Sequence, residues 1–388
     1  MRRLMAAGLI GFMALGGSMT AQVQRFAGPA ALPFSAATKA DGLVYASGTI
    51  DAEGDIKAQT KKVLENLDAT LKAAGSSLAN AASVQVYLKN AADFAAMNEV
   101  YRTFWKADPP ARTTVVADLV VNGGLVEIAV VAVANGGERK VIHPSSWIKS
   151  PNPYSYGIKS GNTLFMAGLV TRNGKDNSVV EGPMAVQTKA VLDNGAEILK
   201  EAGMSYENVV SSRVFLTDGT KFQEMNEVYR TYFPKDPPAR AAVIAPLMGA
   251  ANLVEISMTA VSGPKQIFTT PAADGTPGKP SSILSSAVKV GNRLYVSGML
   301  GNTAATAGNA EAQTTEALAR IGRTMAAAGF GWGDVADGIV YLTDLTSYGG
   351  MNKAYQAVLG KNLPARATVR TGLVSPTGLV EIMFVASK

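Results

Sequence analysis

The sequence contains no cysteine and only one histidine, His143. The missing thiols exclude a disulfide framework, a thiolate zinc site and a cysteine nucleophile. One histidine supports neither a Ser-His-Asp triad nor a histidine-rich metal centre. Charged residues make up 17% of the chain and the formal net charge is +6, with no dense Lys/Arg tract among aromatic residues. Because a surface that binds nucleic acid needs such a basic stripe, we expect no nucleic acid partner. We also expect no metal and no cofactor.

Long hydrophobic runs are also missing, except at the N-terminus. Arg2 and Arg3 precede an apolar run over residues 4–15, and small residues follow as far as Ala21. This pattern is typical of a secretory signal peptide, and the run is shorter than the roughly 20 residues that span a bilayer. It predicts a signal peptide over residues 1–21 and a periplasmic or secreted protein without a membrane span. The alternative is an ordinary buried N-terminal segment.

The strongest positive feature is one pattern that occurs three times. An asparagine precedes an arginine by 14 positions, and a glutamate follows that arginine by 15 positions, in every copy. The three sets are Asn98, Arg112 and Glu127; Asn226, Arg240 and Glu255; Asn352, Arg366 and Glu381. A period of roughly 127 residues suits a whole small domain. We therefore predict domains over residues 22–135, 147–262 and 283–388, joined by flexible linkers over residues 136–146 and 263–282.

Each copy has the same predicted order of elements. In the first copy, apolar residues at helical spacing predict helices over residues 56–74 and 94–105, and alternating or apolar runs predict strands around them. An aligned Gln-Thr pair opens every first helix. The segment between the first strand and that pair varies, with 11, 19 and 15 positions from Gly48, Gly168 and Gly298 to the glutamine. The pattern indicates three α+β domains that differ chiefly in one surface loop.

These motifs resemble the RidA (YjgF) family of reactive-intermediate deaminases. The matching elements are Asn-x-x-Tyr in the second helix, Pro-Ala-Arg before a strand, Val-Glu-Ile in the last strand, and the strand ends Ser47-Gly48, Ala167-Gly168 and Ser297-Gly298. The resemblance implies a chorismate-mutase-like α+β fold. Relatives form homotrimers with a central β-barrel, outer helices and a ligand cleft at each subunit interface. Three copies in one chain then imply a monomeric pseudo-trimer.

The resemblance also implies an activity and a set of site residues. Relatives hydrolyse enamines and imines, such as 2-iminopropanoate, to 2-oxo acids and ammonia. By this resemblance Arg112, Arg240 and Arg366 bind a small carboxylate ligand, and Glu127, Glu255 and Glu381 orient water or transfer a proton. The remaining cleft residues implied are Phe34, Ser47, Gly48, Asn98, Thr114, Tyr154, Gly168, Asn226, Ser297, Gly298, Asn352 and Thr368. The third copy has Leu284 where the others have an aromatic ring, and Val358-Leu359 in place of the aromatic pair of the second helix, so we expect the Arg366 cleft to be the least active. In a pseudo-trimer each cleft is shared, and an arginine and its covering ring can come from different copies.

The sequence leaves other interpretations open. The arginine and glutamate of one copy could form a structural ion pair, since they lie fifteen positions apart on predicted strands. The clefts could also serve a protein that binds small carboxylates, or acts as a scaffold, without catalysis. The weak charge balance gives no support to a ribonuclease.

Overall fold

The computed structural model describes residues 23–388, so the predicted signal peptide lies outside the described residues. The first copy contains strands β1 (Gln24–Phe26), β2 (Ala37–Ala40), β3 (Leu43–Ile50), β4 (Ala81–Leu88), β5 (Ala111–Val116), β6 (Asp118–Leu119) and β7 (Val126–Val133), with helices α1 (Ile56–Ala73) and α2 (Phe94–Phe104). The second contains β8 (Lys140–Ile142), β9 (Gly157–Ser160), β10 (Thr163–Met166), β11 (Val209–Leu216), β12 (Ala239–Ile244) and β13 (Val254–Val261), with α3 (Met184–Glu201) and α4 (Phe222–Tyr232). The third contains β14 (Lys265–Phe268), β15 (Ala287–Val290), β16 (Arg293–Leu300), β17 (Val335–Leu342), β18 (Ala365–Arg370), β19 (Gly372–Leu373) and β20 (Val380–Ser387), with α5 (Ala310–Ala327) and α6 (Tyr348–Leu359). The predicted α+β class is confirmed.

Local sequence explains the first helix of each copy. In α1, the Asp55 side chain accepts a hydrogen bond from the Ala58 N–H and caps the N-terminus. The helix ends before Gly75, whose φ of +79° a glycine adopts without strain. Its buried face is made by residues at helical spacing, among them Val63, Leu64, Leu67 and Leu71. This face packs on the sheet of its own copy and forms that copy's core.

The aligned glutamines fix the first helix to the loop before the last strand. Gln59 donates a hydrogen bond to the Gly123 carbonyl (3.0 Å) and accepts one from the Leu125 N–H (2.8 Å). Gln187 and Gln313 make the same pair of bonds in the other copies. Because the amide is buried and satisfies two backbone groups, these residues have a structural role.

Each copy forms one mixed sheet. The strand orders are β1-β2-β3-β7-β4-β5, β8-β9-β10-β13-β11-β12-β19 and β14-β15-β16-β20-β17-β18-β6. Strand β19 of the second sheet and strand β6 of the third come from a neighbouring copy. Each copy has one parallel pair of its own strands, namely β4 with β5, β11 with β12 and β17 with β18. The arginines lie on the second strand of this parallel pair, so the topology places them at equivalent positions in all three copies.

The copies contact one another in cyclic order. Strand β6 of copy 1 pairs with β18 of copy 3, and β19 of copy 3 pairs with β12 of copy 2. Leu247 of copy 2 forms an isolated bridge with Val115 of copy 1. Leu119, Leu247 and Leu373 each follow the arginine of their copy by seven positions. In every copy the short segment around this leucine therefore contacts the neighbouring copy.

A core shared by all three copies lies on the faces of the sheets away from the helices. Its buried members include Tyr87, Val115 and Leu119 from copy 1, Phe215, Val243 and Leu247 from copy 2, and Tyr341, Val369 and Leu373 from copy 3. The interior also contains a chamber of about 90 Å³ that polar residues line, including Gln85, Arg213 and Asp337. The copies therefore pack against each other over an apolar interior with a polar centre.

The predicted central β-barrel is not closed within the described residues. Strand pairing between copies is limited to two-residue segments and two isolated bridges, Val115–Leu247 and Ser35–Ala365, so no continuous ladder joins the three sheets. Closure of a barrel requires that ladder. Side-chain packing in the shared core replaces it.

The predicted linkers also contain regular structure. Lys140–Ile142 and Lys265–Phe268 form edge strands β8 and β14, which pair antiparallel with β9 and β15. Gln24–Phe26 occupies the same place in copy 1. Short edge strands with charged residues give weak sequence signals, and for this reason the composition of these segments indicated connectors. Within residues 23–388, no helix has the length and apolar character needed to cross a membrane.

Candidate functional site

The three arginines begin the candidate sites. Arg112, Arg240 and Arg366 are the second residues of β5, β12 and β18, and each is at most 4% exposed. The Pro-Ala pair joins the loop after the second helix to this strand, and its alanine is the first strand residue. The guanidinium groups therefore enter the interior at the point where the parallel strand starts.

An aromatic platform supports each guanidinium. The Arg112 Cζ lies 4.7 Å from the ring centroid of Tyr101 and 5.6 Å from that of Phe94. Tyr229 with Phe222, and Tyr355 with Tyr348, support Arg240 and Arg366 at similar distances. Cation–π contact stabilises the charge in a buried position. These tyrosines therefore serve as packing surfaces beneath the arginines.

The asparagines behave differently in the three copies. The Arg240 Nη1 donates to the Asn226 Oδ1 at 2.9 Å, and the Arg366 Nη2 donates to the Asn352 Oδ1 at 2.8 Å. In copy 1 the Asn98 Nδ2 donates instead to Asn152 of copy 2, at 3.4 Å. The Arg112 Nη1 is left buried with no hydrogen-bond partner. Arg112 consequently has an unused donor.

The glutamate opposite each arginine comes from a different copy. Glu255 accepts a hydrogen bond from the Thr114 N–H and Glu127 from the Thr368 N–H, both at 3.3 Å. The Ala242 backbone N–H donates the equivalent hydrogen bond to Glu381. We name the resulting sites by their arginine and glutamate: cleft 1 contains Arg112 and Glu255, cleft 2 contains Arg240 and Glu381, and cleft 3 contains Arg366 and Glu127. The ion pair within one copy is not formed, and none of these arginines has a carboxylate within 4.0 Å among residues 23–388.

Burial favours the protonated form of the three carboxyl groups. Desolvation raises the pKa of Glu127, Glu255 and Glu381 to about 8, against opposing effects from the backbone N–H and the facing arginine. A carboxyl group with such a pKa can donate a proton near neutral pH and accept it back. Each cleft thus combines a fixed cation with a neutral acid.

A glycine makes room for each of these carboxyl groups. A Cβ added at Gly48, Gly168 or Gly298 would overlap the Oε1 of Glu127, Glu255 or Glu381, respectively. The glycine belongs to the same copy as the glutamate; Gly48 and Gly298 lie within β3 and β16, and Gly168 follows β10. The glycine that ends the Ser-Gly or Ala-Gly pair in each copy therefore reflects the close approach of a backbone to a buried acid.

The residue before the glycine binds the neighbouring copy. The Ser47 Oγ accepts from the Arg366 N–H, and the Ser297 Oγ from the Arg240 N–H, both at 2.8 Å. Copy 2 has Ala167 at this position, and there the Gly168 N–H donates to the Arg112 carbonyl at 3.1 Å. Ser47 and Ser297 therefore position the arginine backbone.

The ring that covers each cleft also comes from the neighbouring copy. Tyr154 lies 5.9 Å from the Arg112 Cζ and Phe34 lies 5.1 Å from the Arg366 Cζ. Copy 3 has Leu284 at this position, and the cleft that it would cover is cleft 2, which contains Arg240. Cleft 2 therefore lacks a covering ring. The expectation that this change weakens the Arg366 cleft is corrected, because Phe34 of copy 1 covers that arginine.

One set of interface residues escaped the sequence analysis. Ser155 donates to the Pro109 carbonyl at 2.6 Å, and Ser35 and Ser285 make the equivalent bonds to Leu363 and Pro237. Each serine fixes the covering segment of one copy against the strand that carries the arginine of another. The signal was present, since a serine follows the Phe34, Tyr154 and Leu284 position in all three copies.

The predicted site residues fall into three groups. Cleft 1 contains Asn98, Arg112, Thr114, Tyr154, Gly168 and Glu255; cleft 2 contains Asn226, Arg240, Ser297, Gly298 and Glu381; cleft 3 contains Phe34, Ser47, Gly48, Glu127, Asn352, Arg366 and Thr368. Cavities of about 330 Å³ and 450 Å³ lie beside Arg112 and Arg366. No group of three or more His, Cys, Asp or Glu residues that could hold a metal ion occurs in the part of the chain that the structure describes.

Comparisons with known proteins identify the family. The model of the family described as Endoribonuclease L-PSP matches residues 26–134, 145–262 and 277–388. A RutC family protein of Sulfurisphaera tokodaii is 41% identical over 115 residues, which are 30% of this chain and 92% of that protein. A 2-iminobutanoate/2-iminopropanoate deaminase of Mus musculus is 36% identical over 126 residues, 32% of this chain and 93% of that protein.

One solved structure resembles more than a single copy. A chorismatase structure covers 79% of this chain and 93% of its own, with a TM-score of 0.51 and 16% identity, a similarity that concerns the fold alone. The three family matches together span most of the sequence. The chain therefore belongs to the endoribonuclease L-PSP family, also called the RidA or YjgF family, and contains three tandem copies of its domain.

Proposed function

We propose that this protein hydrolyses small 2-imino acids or their enamine tautomers to 2-oxo acids and ammonia. The observation that carries the proposal is the pairing, across copies, of a buried arginine with a protonated glutamate beside one cavity. Relatives named as 2-iminobutanoate/2-iminopropanoate deaminases support the reaction class. The cyclic contacts support a monomeric pseudo-trimer, and the N-terminal sequence supports an exported protein.

The arginine supplies the anchor in the proposed mechanism. A planar guanidinium with parallel donors matches a carboxylate and stays charged at any relevant pH. In cleft 1 the unpartnered Arg112 Nη1 is available for that contact. Binding there directs the imine carbon and nitrogen of the substrate towards Glu255, on the opposite wall of the cavity.

The glutamate then moves the proton. The neutral Glu255 carboxyl donates its proton to the imine nitrogen, which makes the imine carbon more electrophilic. Water adds to that carbon, and the carboxylate accepts a proton from the water. The carbinolamine collapses with loss of ammonia, leaving the 2-oxo acid and the protonated glutamate. General acid–base catalysis of this kind contributes typically 10²–10⁴-fold.

Carboxylate binding with little catalysis is favoured for one cleft. Cleft 2 has Leu284 in place of a covering ring and Ala242 in place of the threonine found in the other two. It retains Arg240 bonded to Asn226, and so keeps a carboxylate anchor. We therefore propose that cleft 2 binds carboxylates and contributes the smallest part of the activity.

Imine-decay kinetics test the proposal. An amino-acid oxidase would generate 2-iminopropanoate in place, semicarbazide would trap the imine that remains, and ammonia would be measured in parallel. We expect the purified chain to reduce the trapped imine and to accelerate ammonia release above the rate in buffer. A folded protein that binds 2-oxobutanoate without any acceleration would contradict hydrolysis and favour the carboxylate-binding role.

A further inference from the structure

The longest of the three variable loops forms part of cleft 1. Between Gly168 and Gln187 the chain folds back on itself, and Arg172 forms an isolated bridge with Val179. The Asn173 N–H donates to the Ser178 carbonyl at 2.9 Å, which closes the same small hairpin. Arg172 and Asn177 line the cavity that contains Arg112 and Glu255. The extra residues of copy 2 therefore bring a second arginine to this cleft.

The second arginine has no carboxylate partner. Its Nη1 donates to the Asn177 carbonyl at 3.0 Å, and no acidic side chain lies within 4.0 Å of it among residues 23–388. Arg112, the other cation of the cleft, is 4% exposed and has a buried Nη1 without a partner. Glu255 is the one acidic residue that lines the cavity, and burial raises its pKa to about 8. Cleft 1 thus holds two arginines, and burial shifts the one carboxyl group of its lining towards the neutral form.

Cleft 3 has a different wall. Ala52 occupies the position of Arg172, four residues after the glycine, and the cavity is lined by Leu32, Ile50, Val120 and Val121. Arg366 is the one arginine among the lining residues of this cavity. An apolar wall beside a single cation suits a monocarboxylate with an apolar side chain.

We propose that cleft 1 binds substrates with two acidic groups, namely 2-imino dicarboxylic acids and their 2-oxo products, with Arg112 on the first carboxylate and Arg172 on the second. Cleft 3 accepts the apolar monocarboxylic counterparts. The assignment rests on the proposed deaminase function for the reaction, and on the two arginines for the charge of the ligand. Arg172 is a specificity residue, because it contacts the part of the substrate that does not react.

Binding of 2-oxo acids tests the charge assignment without depending on catalysis. In a chain with Arg240→Ala and Arg366→Ala, cleft 1 alone retains its anchor, and calorimetry would compare 2-oxoglutarate with 2-oxobutanoate. We expect 2-oxoglutarate to bind more tightly. Arg172→Asn, which installs the residue found at this position in copy 3, should weaken 2-oxoglutarate binding at least tenfold and change 2-oxobutanoate binding less than twofold. Arg172→Lys should retain part of the preference, and Lys175→Ala, in the exposed tip of the same hairpin, should retain all of it.

The same variants separate this inference from the proposed function. With imines made in place from glutamate and from alanine, Arg172→Asn should raise KM for the dicarboxylate and leave kcat nearly unchanged. The dicarboxylate assignment would be overturned if Arg172→Asn weakened the binding of both 2-oxo acids equally, or weakened the binding of neither. It would also be overturned if the parent chain did not bind 2-oxoglutarate. Selective 2-oxoglutarate binding without any imine hydrolysis would retain it and contradict only the deaminase function.

Discussion

Replacing Glu255 by glutamine is expected to stabilise the protein at neutral pH and to remove the activity of cleft 1. Burial raises the pKa of Glu255 from 4.5 to about 8. The folded chain therefore holds this proton more tightly than the unfolded chain, and wild-type stability falls as the pH rises from 4.5 towards 8. Each pH unit in that window costs about 1.4 kcal/mol, so the loss by pH 7 is on the order of 3 kcal/mol.

Glutamine keeps the carbonyl that accepts the Thr114 N–H but does not titrate. Urea unfolding from pH 4 to pH 8 should show equal stability of Glu255→Gln and wild type near pH 4 and a growing advantage of the variant up to pH 8. Glu53→Gln, at an exposed position, serves as the control and should follow wild type throughout. A variant that is less stable than wild type at pH 8 would show that the carboxyl is ionised in the folded protein.

The activity of the same variant addresses the direction of proton transfer. As the protonated carboxyl is the proposed acid, kcat/KM of wild type should decline above pH 8. Glu255→Gln, in a chain where cleft 1 alone retains its arginine, should lose roughly 10²–10⁴-fold in kcat/KM. Activity that instead rises through pH 8 would identify the carboxylate as a base from the start.

Replacing all three arginines by alanine is expected to abolish imine hydrolysis while the chain still folds. Each guanidinium would donate two charge-assisted hydrogen bonds to the substrate carboxylate, each contributing about 1.5–3 kcal/mol, so kcat/KM per cleft should fall roughly 10²–10⁴-fold. Arg112, Arg240 and Arg366 have no carboxylate within 4.0 Å among the described residues. Removal therefore leaves no buried charge without its partner, and the unfolding free energy should change by about 2 kcal/mol or less at Arg112, from lost contact with the rings. At Arg240 and Arg366 the loss should be about 1–3 kcal/mol larger, because Asn226 and Asn352 also lose a buried hydrogen-bond donor.

Lysine substitutions separate charge from geometry at the same positions. Arg112→Lys keeps the positive charge and loses the paired donors, so its activity should lie between wild type and alanine. Lys106→Ala, at an exposed position before the same strand, should behave as wild type. A loss of 3–5 kcal/mol in stability for Arg112→Ala would contradict the open anchor and indicate a buried ion pair.

The sequence predicted the content of each copy because the signals are local. Helix α1 follows from a run of apolar residues at helical spacing that ends at Gly75, all within one segment. The arginine and glutamate were visible because their spacing does not vary between copies. Such features depend on neighbours in the chain, and each copy gives the same pattern independently.

Partners between copies could not be predicted in this way. Arg112 and Glu127 are close in sequence, yet Arg112 faces Glu255, because the short segment around Leu119 passes to copy 3 while Leu247 of copy 2 joins copy 1. A spacing of fifteen residues holds no information about which copy supplies the opposite wall. The same reason explains why the sequence left open which cleft lacks a ring because of Leu284.

The hairpin that carries Arg172 was recognised only as a variable loop. Its length differs from the other copies, but the direction in which a loop folds depends on contacts such as the Arg172–Val179 bridge. The edge strands β8 and β14 were missed for a related reason, since three or four residues give too short a pattern to separate from a connector. Pairing with other parts of the chain decides both the direction of the hairpin and the formation of these edge strands.

Pairs of substitutions within one chain test most directly the claim that each cleft is shared by two copies. In an Arg112→Ala background cleft 1 is already inactive, so adding Glu255→Gln should leave the remaining imine-hydrolysis rate unchanged. Adding Glu127→Gln to the same background should remove the contribution of cleft 3 as well. The reverse pattern, in which Glu127→Gln is silent and Glu255→Gln costs further activity, would show that arginine and glutamate act within one copy and would contradict the account.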